Sequence, residues 1–586
     1  MAAETMAAEL LARAGPGAKD PAVEAAARAL NNAYSNYLFI MCGAIGGAIL
    51  LWKLCDSIIK YTRHIVCLNN DRQRYFAIAS PWNASIKRHI LYAPLFSKRH
   101  NREIQISSAI NVGTLPTRFQ LLFLVAYFAT NIAFCLVGVP FNETASEALD
   151  VLRKRSGWLS TLNMIPLFVF AGRNNPLIPL LNISFDTYNL LHRWFGRIVV
   201  IEAVIHTIAH IAKTNWAWNM VFAKPFYGWG AVATIAFLVL LIQSWSPIRH
   251  AFYETFKIIH ILAAAASIVG LYMHLASGAR DGFLSYCWIL IALWVADRGA
   301  RILRIVYINI GRSRSRTVIE ALPGNAIRVT MTLARPFRGR PGQHGYLYMP
   351  GVSLWQSHPF SISWFESTDD VSSDKLVSNH QERRAMQKMQ IGFIIRARTG
   401  YTDNLYKRVA ASPAGKMETT CFFEGPYGVK HPLDSYGTVV LFAGGVGVTH
   451  QVPYVKDLVA GYANGTVATR RILLVWTIQS PEHLEWIRPW MTEVLGMDKR
   501  RDVLRIMLFV SKPRSIKEIH SPSSTVQMFP GRPNIDTLMQ MEQEQQVGAM
   551  AVTVCGPGTL SDEVRRVVRD RQHHTSIDFV EEAFSW

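Results

Sequence analysis

The sequence predicts two halves of different fold class. An α-helical membrane bundle of about seven spans comes first, and a soluble half follows in which an antiparallel β-barrel precedes a doubly wound α/β domain. Half of the 586 residues are hydrophobic, and the long apolar runs fall within roughly the first 310 positions. Beyond them, short β-type runs with Gly and Pro turns give way to strands that alternate with helical patterns. These patterns are typical of membrane helices, of a small barrel and of a parallel sheet covered by helices.

Seven apolar runs are long enough to cross about 30 Å of hydrocarbon as α-helices. They are Tyr37–Leu54, Phe119–Val139, Trp158–Ala171, Leu190–Ile211, Trp229–Trp245, Phe252–Ala276 and Leu284–Ile305. The third run is the shortest of them. We therefore expect a membrane domain over residues 36–310, preceded by an extracytoplasmic segment over residues 1–35.

The charge of the loops predicts the orientation of these spans. The loop after the first span is rich in Lys and Arg, with Lys60, Arg63, Lys87 and Arg99 among them. Basic loops favour the cytoplasmic side, so seven crossings place the amino terminus outside and the soluble half in the cytoplasm. A formal net charge of +20 would suggest nucleic acid in a soluble protein. Here much of the excess lies between apolar spans, which favours a lipid membrane and no nucleic-acid partner.

Four histidines occupy two of the apolar runs at equal spacing. Two lie in the fourth run and two in the sixth: His192, His206, His260 and His274. In both runs the two histidines are 14 residues apart, which is almost four helical turns. The members of a pair therefore share one face of their helix, about 21 Å apart along its axis. Two such helices side by side would offer two facing imidazole pairs, each able to hold a haem iron from both sides.

The orientation assigns these pairs to the two faces of the membrane. His192 and His260 would bind the inner haem. His206 and His274 would bind the outer haem, which defines an electron path from the cytoplasm to the exterior. His210, one turn beyond His206, is the alternative ligand; it breaks the equal spacing, so we interpret it as structural.

Residues 311–432 carry the residue types that a flavin requires. Two motifs and the arginines between them supply these types: His358, Pro359, Phe360, Ser361, Arg396, Arg398, Gly400, Tyr401 and Thr402. A flavin needs an aromatic ring near its face, hydroxyl and backbone donors for its polar edge, and cations or amides for its pyrophosphate. We expect an FAD-binding β-barrel over this range.

Residues 433–586 predict a doubly wound sheet that binds a dinucleotide. An apolar strand runs into a glycine-rich turn: Gly444, Gly445, Val446, Gly447, Val448 and Thr449. Such a turn lets backbone amides approach a pyrophosphate at a helix amino terminus. A later strand ends in Cys555-Gly556-Pro557-Gly558. Ser511, Lys512 and Arg514 follow the third strand, where they could bind a 2′-phosphate; this favours NADPH over NADH, with a solvated basic loop as the alternative.

Taken together, these motifs make the sequence similar to the ferric reductase family, particularly to fungal ferric and cupric reductases, with the NADPH oxidases as relatives. The resemblance covers Tyr37 to Trp586. Further matching stretches are Ala171–Leu177, His192–Arg197, Tyr253–His260 and Phe579–Trp586. The resemblance implies a two-haem membrane domain followed by a ferredoxin-NADP reductase-like module.

The resemblance also implies roles for individual residues of the soluble half. Phe360 would lie by the isoalloxazine, and the other flavin residues would be His358, Pro359, Ser361, Gly400 and Thr402. The NADPH residues would be Gly444, Gly445, Gly447, Thr449, Ser511, Arg514, Cys555 and Gly556. Cys555 would sit near the nicotinamide, and Phe584 would cover the flavin until the nicotinamide displaces it. Because Ser585 and Trp586 follow, Trp586 is the alternative cover for the flavin.

The implied activity is a transmembrane ferric-chelate reductase with FAD, two haem b groups and NADPH. A hydride from cytosolic NADPH would reduce FAD, and single electrons would then cross the inner and outer haems to Fe(III) or Cu(II) chelates. We expect a plasma-membrane protein that supports iron and copper uptake, with an iron permease or oxidase system downstream and a vacuolar membrane as the alternative. The sequence does not predict an oligomeric state.

Two other functions are alternatives. An NADPH oxidase would deliver the electron to dioxygen as superoxide, and a haem-containing transporter or sensor would use the soluble half only for regulation. The equal 14-residue steps, Ser361 and the residues beyond Phe584 resemble the metal reductases more than the oxidases.

Overall fold

The structure is a computed structural model that describes residues 21–99, 115–142, 144–214, 219–278, 281–311, 315–353, 356–368, 388–398, 400–429, 431–499, 501–513, 519, 521, 523–573 and 575–582. The chain forms two compact units. The first contains the described parts of Met1–Lys53 and Asn101–Arg298, and the second those of Leu54–His100 and Gly299–Trp586.

Seven long helices lie where the seven apolar runs are predicted. They are α1 Pro21–Cys67, α2 Arg118–Leu136, α3 Ala145–Ala171, α4 Phe185–Thr214, α5 Pro225–Gln243, α6 Tyr253–Ser277 and α7 Asp281–Asn309. Shorter helical turns lie between them at Asn70–Phe76, Pro81–Ile86, Lys87–Leu91, Leu177–Leu181, Asn219–Ala223 and Ser246–Ala251. The fold class predicted from the sequence is confirmed in its first half, which is built of apolar helices.

Five helices in the described part of the chain are long and apolar enough to cross a membrane: α1 from Asn32 onward, α2, α4, α5 and α6. Helices α3 and α7 have the length, but α3 contains Arg153, Lys154 and Arg155, and α7 contains Asp297 and Arg298. A span count of seven therefore stays a prediction.

Threonine caps start two of these helices. The side chain of Thr117 accepts from the backbone N–H of Gln120, and the Gln120 side chain accepts from the backbone N–H of Thr117. Thr144 and Glu147 form the same reciprocal pair before α3. This T-x-x-Q/E pattern satisfies two backbone donors that a helix end would otherwise leave open.

The helices of the first unit share an apolar core. One cluster takes buried side chains from α3, α4, α5, α6 and α7: Met164, Val199, Val200, Phe237, Ile268 and Leu290. Helices α5 and α6 approach closely at Gly270, where an added Cβ would lie 2.8 Å from the backbone nitrogen of Ala233. This close approach holds α6, which carries His260 and His274, against α5.

The barrel of the second unit is antiparallel. Its strands are β1 Arg316–Leu322, β2 Ala326–Leu333, β3 His344–Tyr348, β4 Ser357–Ser361, β5 Trp364–Thr368, β6 Lys388–Arg396, β7 Lys416–Thr419 and β8 Phe422–Tyr427. One sheet has the order β5-β6-β2-β1-β7 and the other β4-β3-β8. Helix α8, Tyr401–Ala410, follows β6 and buries Tyr401, Leu405 and Val409 against the barrel core.

A six-stranded parallel sheet forms the rest of the second unit, as the sequence predicts. Its strands are β9 Thr438–Gly444, β10 Arg471–Ile478, β11 Leu504–Val510, β12 Val526–Pro530, β13 Met550–Cys555 and β14 Ile577–Glu582. They stand in the order β12-β11-β10-β9-β13-β14. The helices are α9 Val448–Ala463, α10 Arg488–Met497, α11 Ile535–Glu544 and α12 Gly558–Asp570, and the remaining short turns are Pro413–Gly415, Gly445–Gly447 and Pro481–Trp486. Every residue of β9 is buried, as expected for a central strand covered on both faces.

The described residues 68–99, which follow α1 and are here called the docked loop, pack against the parallel sheet within the second unit. Lys87 Nζ lies 2.6 Å from Asp578 Oδ1, and Arg99 Nη1 lies 2.5 Å from Glu581 Oε2. The hydroxyl of Tyr92 accepts from the backbone N–H of Phe579 at 3.2 Å. Basic residues that were used in the sequence only to predict the cytoplasmic side of the membrane thus bind strand β14.

Candidate functional site

The four histidines predicted to bind haem form two facing pairs in the first unit. The ring centres of His192 and His260 are 6.1 Å apart, and those of His206 and His274 are 6.3 Å apart. Two imidazoles that bind one metal from opposite sides, with bonds of about 2 Å, have ring centres about 6 Å apart. Both pairs therefore have the separation that a bis-histidine haem requires. His210, the alternative ligand, has its ring centre 5.3 Å from that of Tyr227.

Each of the four rings is oriented by a contact at Nδ1. Three have a backbone carbonyl oxygen there: Leu167 at 3.0 Å from His192, Arg153 at 2.7 Å from His206, and Phe226 at 2.8 Å from His274. A carbonyl oxygen can only accept, so Nδ1 carries the proton and Nε2 keeps the lone pair that a metal needs. His260 has the side-chain amide of Gln243 at 2.8 Å instead.

Two glycines make room for the histidine–carbonyl contacts of one pair. Gly157 lies four residues after the residue whose carbonyl accepts from His206, and Gly230 lies four residues after the one that accepts from His274. A Cβ on Gly157 would lie 2.6 Å from His206 Nδ1, and one on Gly230 would lie 2.9 Å from His274 Nδ1. Both distances are shorter than van der Waals contact, so a side chain at either position would displace the ring.

The predicted flavin residues lie on two adjoining elements of the barrel. The four residues of the first motif occupy β4: His358, Pro359, Phe360 and Ser361. The second motif starts α8, because Gly400 has a φ of 62° and precedes the first helical residue. The rings of His358 and Tyr401 lie 4.5 Å apart and bring the two elements together.

Orphaned polar atoms in this region fit a bound flavin. Ser361 Oγ and the Tyr401 hydroxyl are buried and have no hydrogen-bond partner among the described residues. Buried polar groups are normally satisfied, so both atoms are available to a ligand. Thr402 Oγ1 accepts from the backbone N–H of Arg398 at 3.1 Å, and the amino terminus of α8 suits a phosphate.

The predicted NADPH residues meet at the carboxyl ends of two neighbouring strands. Strands β9 and β13 pair in parallel, so the turn that begins at Gly444 lies beside the turn after Cys555. A Cβ on Gly447 would collide with the carbonyl of Cys555, and Gly445 has a φ of +54°. Glycine is needed at both positions, once for close approach and once for the backbone conformation. The Thr449 hydroxyl donates to the carbonyl of Val446 at 2.8 Å and closes the turn.

The structure describes only some of the remaining residues that are predicted for this site. Ser511 follows β11, and its hydroxyl donates to the carbonyl of Ile478 at 3.0 Å. Arg514, Phe584 and Trp586 lie outside the described residues. The preference for NADPH and the choice of aromatic cover therefore stay predictions.

Cys555 is buried at the end of β13. Burial, together with the charges of Glu582 and Glu581, raises the pKa of its thiol well above the ordinary value. The thiolate is the nucleophilic form, so Cys555 is an unreactive thiol suited to contact rather than to covalent chemistry.

We therefore expect Cys555 to resist alkylation by iodoacetamide at pH 7.5 in the folded protein. Mass spectrometry of the labelled peptide measures the extent of modification, and the same labelling in guanidinium supplies the fully accessible reference. Modification of the folded protein at the rate of the unfolded chain would contradict this expectation.

One residue of these sites, Gln243, was missed in the sequence, whereas Arg396 was already named there with the flavin motif. Gln243 is a lone amide at the end of an apolar run. It could have been noticed in the sequence, because a polar side chain in such a run usually has a functional partner. Arg396 ends β6, where its Nη2 donates to Gln479 Oε1 at 3.1 Å. A Cβ on Gly445 would lie 3.8 Å from Arg396 Nη1, so this cation stands beside the glycine-rich turn.

Comparison with protein families finds three consecutive matches along the chain. Residues 156–271 match the ferric reductase like transmembrane component. Residues 312–431 match an FAD-binding domain. Residues 436–519 and 514–569 match the ferric reductase NAD binding domain.

Curated fungal proteins are similar over most of the chain. Ferric/cupric reductase transmembrane component 2 of Saccharomyces cerevisiae is 24% identical over 540 residues, which cover 85% of this chain and 71% of that protein. Ferric/cupric reductase transmembrane component 1 of Candida albicans is 25% identical over 545 residues, covering 85% and 67%. Ferric reductase transmembrane component 3 of Saccharomyces cerevisiae is 23% identical over 594 residues, covering 93% and 76%.

Solved structures match about half of the chain. The cytochrome P450 reductase GcoB of Amycolatopsis is 16% identical, covers 47% of this chain and 71% of its own, and gives a TM-score of 0.30. Phthalate dioxygenase reductase is 14% identical, covers 46% and 67%, and gives a TM-score of 0.29.

Proposed function

Because the chain belongs to the ferric reductase family and is a transmembrane oxidoreductase with FAD and NAD(P)H-binding domains, we propose that it carries electrons across a membrane from cytosolic NADPH to chelated Fe(III) or Cu(II). In this proposal each histidine pair would hold one b-type haem, which would supply one-electron transfer. The domain boundaries at residues 35, 310 and 432 and the plasma-membrane location are part of the same proposal.

One observation carries the proposal: two histidine pairs have the same separation, 6.1 and 6.3 Å between ring centres. A single buried histidine is commonly a packing residue. Two facing pairs on the same two helices indicate instead that each pair binds the same kind of ligand. The carbonyl contacts at Nδ1 support haem binding by these pairs, because a histidine that binds a metal through one ring nitrogen is normally oriented by a hydrogen bond at the other.

Residues of the soluble half have the corresponding tasks of binding and orientation. The bound flavin supplies the conversion of a two-electron hydride into single electrons that haems can carry. Ser361 and Tyr401 offer unpartnered hydroxyls to the flavin, and Gly400 opens the amino terminus of α8 towards its phosphates. Gly447 lets the backbone after β9 approach the nucleotide closely.

The docked loop supports a cytoplasmic soluble half. This loop joins two apolar helices and binds strand β14 through Lys87 and Arg99, so loop and sheet lie on the same side of the membrane. Basic loops favour the cytoplasm, which is also where NADPH is available. His192 and His260 would then form the inner pair and His206 and His274 the outer pair.

The test is an anaerobic spectrum of purified His206→Ala and His192→Ala after addition of NADPH. We expect His206→Ala to retain one haem that NADPH reduces, while ferric-chelate reduction falls by at least about 100-fold because the outer electron site is gone. In His192→Ala we expect NADPH to reduce the flavin but not the remaining haem. Loss of flavin-to-haem transfer in His206→Ala would contradict the proposed order.

The acceptor needs its own measurement. Whole cells that express the protein should reduce a ferric chelate, detected with ferrozine, without forming superoxide at a comparable rate. Superoxide formation without ferric-chelate reduction would replace the proposed function by that of an NADPH oxidase. Haems that stay oxidised under anaerobic NADPH in the unmodified protein would favour a transporter or sensor instead.

A further inference from the structure

The four Nδ1 contacts differ in kind. In the described structure three histidines face backbone carbonyls of the preceding helix, whereas His260 faces the side chain of Gln243. On α3 the two accepting residues are 14 apart (167 − 153), which matches the step between the histidines. On α5 the two partners are 17 apart (243 − 226), and the partner of His260 is a side chain instead of a backbone carbonyl.

The environment of Gln243 assigns the direction of its hydrogen bond. The residue is buried, and its Nε2 stands 2.8 Å from His260 Nδ1 while its Oε1 has no partner among the described residues. The oxygen and nitrogen of an amide are exchanged by a half-turn about the last side-chain bond. After that half-turn, Oε1 of Gln243 accepts the hydrogen bond that Nδ1–H of His260 donates. Nε2 of the imidazole ring then keeps the lone pair that binds a metal.

We propose that Gln243 is the positioning residue of the His192–His260 haem and that it sets the reduction potential of this haem independently of the other one. The inference rests on the proposed function only in that this pair binds haem. It does not depend on which acceptor is reduced or on which face of the membrane the pair occupies.

The chemistry gives the sign of the effect. An acceptor on Nδ1–H makes the imidazole a more basic ligand, which stabilises ferric more than ferrous iron and lowers the potential. Backbone carbonyls do this for the other three rings and cannot be removed by substitution. Only at His260 can the acceptor be exchanged by changing one side chain.

The experiment is a spectroelectrochemical titration of the purified, detergent-solubilised holoprotein, carried out on Gln243→Met and Gln243→Glu. Methionine has a similar length but a very weak acceptor, so one of the two haem potentials should shift upward while the other stays unchanged. Glutamate keeps an acceptor oxygen at the same distance, so its potential should lie at or below that of the unmodified protein. Loss of one haem in Gln243→Met with both haems kept in Gln243→Glu would equally support the positioning role.

Ser244 supplies the matched control. Its Oγ is 3.4 Å from the same Nδ1, so Ser244→Ala perturbs the same helix end without removing the principal acceptor. Ser244→Ala should leave both potentials unchanged. Equal shifts of both haems, no shift in Gln243→Met, or an upward shift of similar size in Gln243→Glu would overturn the inference. Absence of haem from the unmodified protein would overturn the proposed function instead.

Discussion

Replacing Gly157 by alanine is expected to reduce the haem content from two per chain to one and to lower ferric-chelate reduction about 10–100-fold. The added Cβ would lie 2.6 Å from His206 Nδ1, at a ring held on one side by a carbonyl and on the other by the proposed iron. Alanine is the better helix former by about 1 kcal/mol, so a loss of haem cannot be attributed to a weaker helix. Pyridine haemochrome analysis of the purified protein measures the result.

Gly43→Ala is the matched control for this substitution. Gly43 also lies in a long helix of the first unit, but its added Cβ would meet no heavy atom of another described element within 4 Å. We expect Gly43→Ala to keep both haems and full activity. Two haems per chain in Gly157→Ala would show that His206 does not need its present position.

Replacing Asp578 by alanine is expected to destabilise the NADPH-binding part of the protein by about 3–5 kcal/mol, the range for breaking a buried ion pair from one side. Lys87 is buried and would lose its 2.6 Å partner, and the hydroxyl of Tyr436 would lose its acceptor. Pulse proteolysis of the detergent-solubilised protein in urea, followed on the fragment that contains residues 433–586, measures the effect. Asp536→Ala, which breaks the half-exposed pair with Arg566, should cost only about 0–1 kcal/mol. A similar change in both variants would contradict a role for the docked loop.

Acid should remove the same stabilisation. Burial alone would raise the pKa of Asp578, but the charges of Lys87 and Lys60 and the hydrogen bonds from Lys87 and Tyr436 outweigh it and hold the pKa well below its ordinary value. A carboxyl whose pKa is lower in the folded state stabilises that state fully at pH values above its pKa in the unfolded chain, about 3.9. This stabilisation is lost as the pH falls through the pKa of the folded state. The stability difference between the unmodified protein and Asp578→Ala should thus be constant between about pH 6 and 8 and shrink below about pH 4. A difference that grows in acid would contradict this assignment.

The sequence predicted the fold class because its signals are local. Apolar runs, strand alternation and the glycine-rich turn each depend on a few consecutive residues, and the step of 14 residues between histidines is a property of a single helix. Within each pair the two histidines face each other once two such helices pack side by side. Helices α3 and α7 were predicted as spans from their apolar stretches, but the charges that they also carry leave the number of crossings open.

What could not be predicted depends on contacts between distant parts of the chain. The carbonyls of Leu167 and Phe226 carry no mark in the sequence, because any residue offers the same oxygen and only helix rotation aims it at a ring. Arg63 and Lys87 were interpreted only as marks of the cytoplasmic side. Their partners Ser435 and Asp578 lie hundreds of residues away, and no local pattern links them.

The docked loop has a consequence for the order in which the protein is made. Lys87 and Asp578 are separated by 491 residues, and translation at about 5–20 residues per second needs about 25–100 s to cover them. During that time the loop has emerged from the ribosome while strand β14 does not yet exist. Its cations must stay hydrated or be held by other acidic partners, such as anionic lipid headgroups, until β14 arrives. Completion of the sheet is therefore a late event of biogenesis, at which the docked loop, made early, is joined to strand β14, made late.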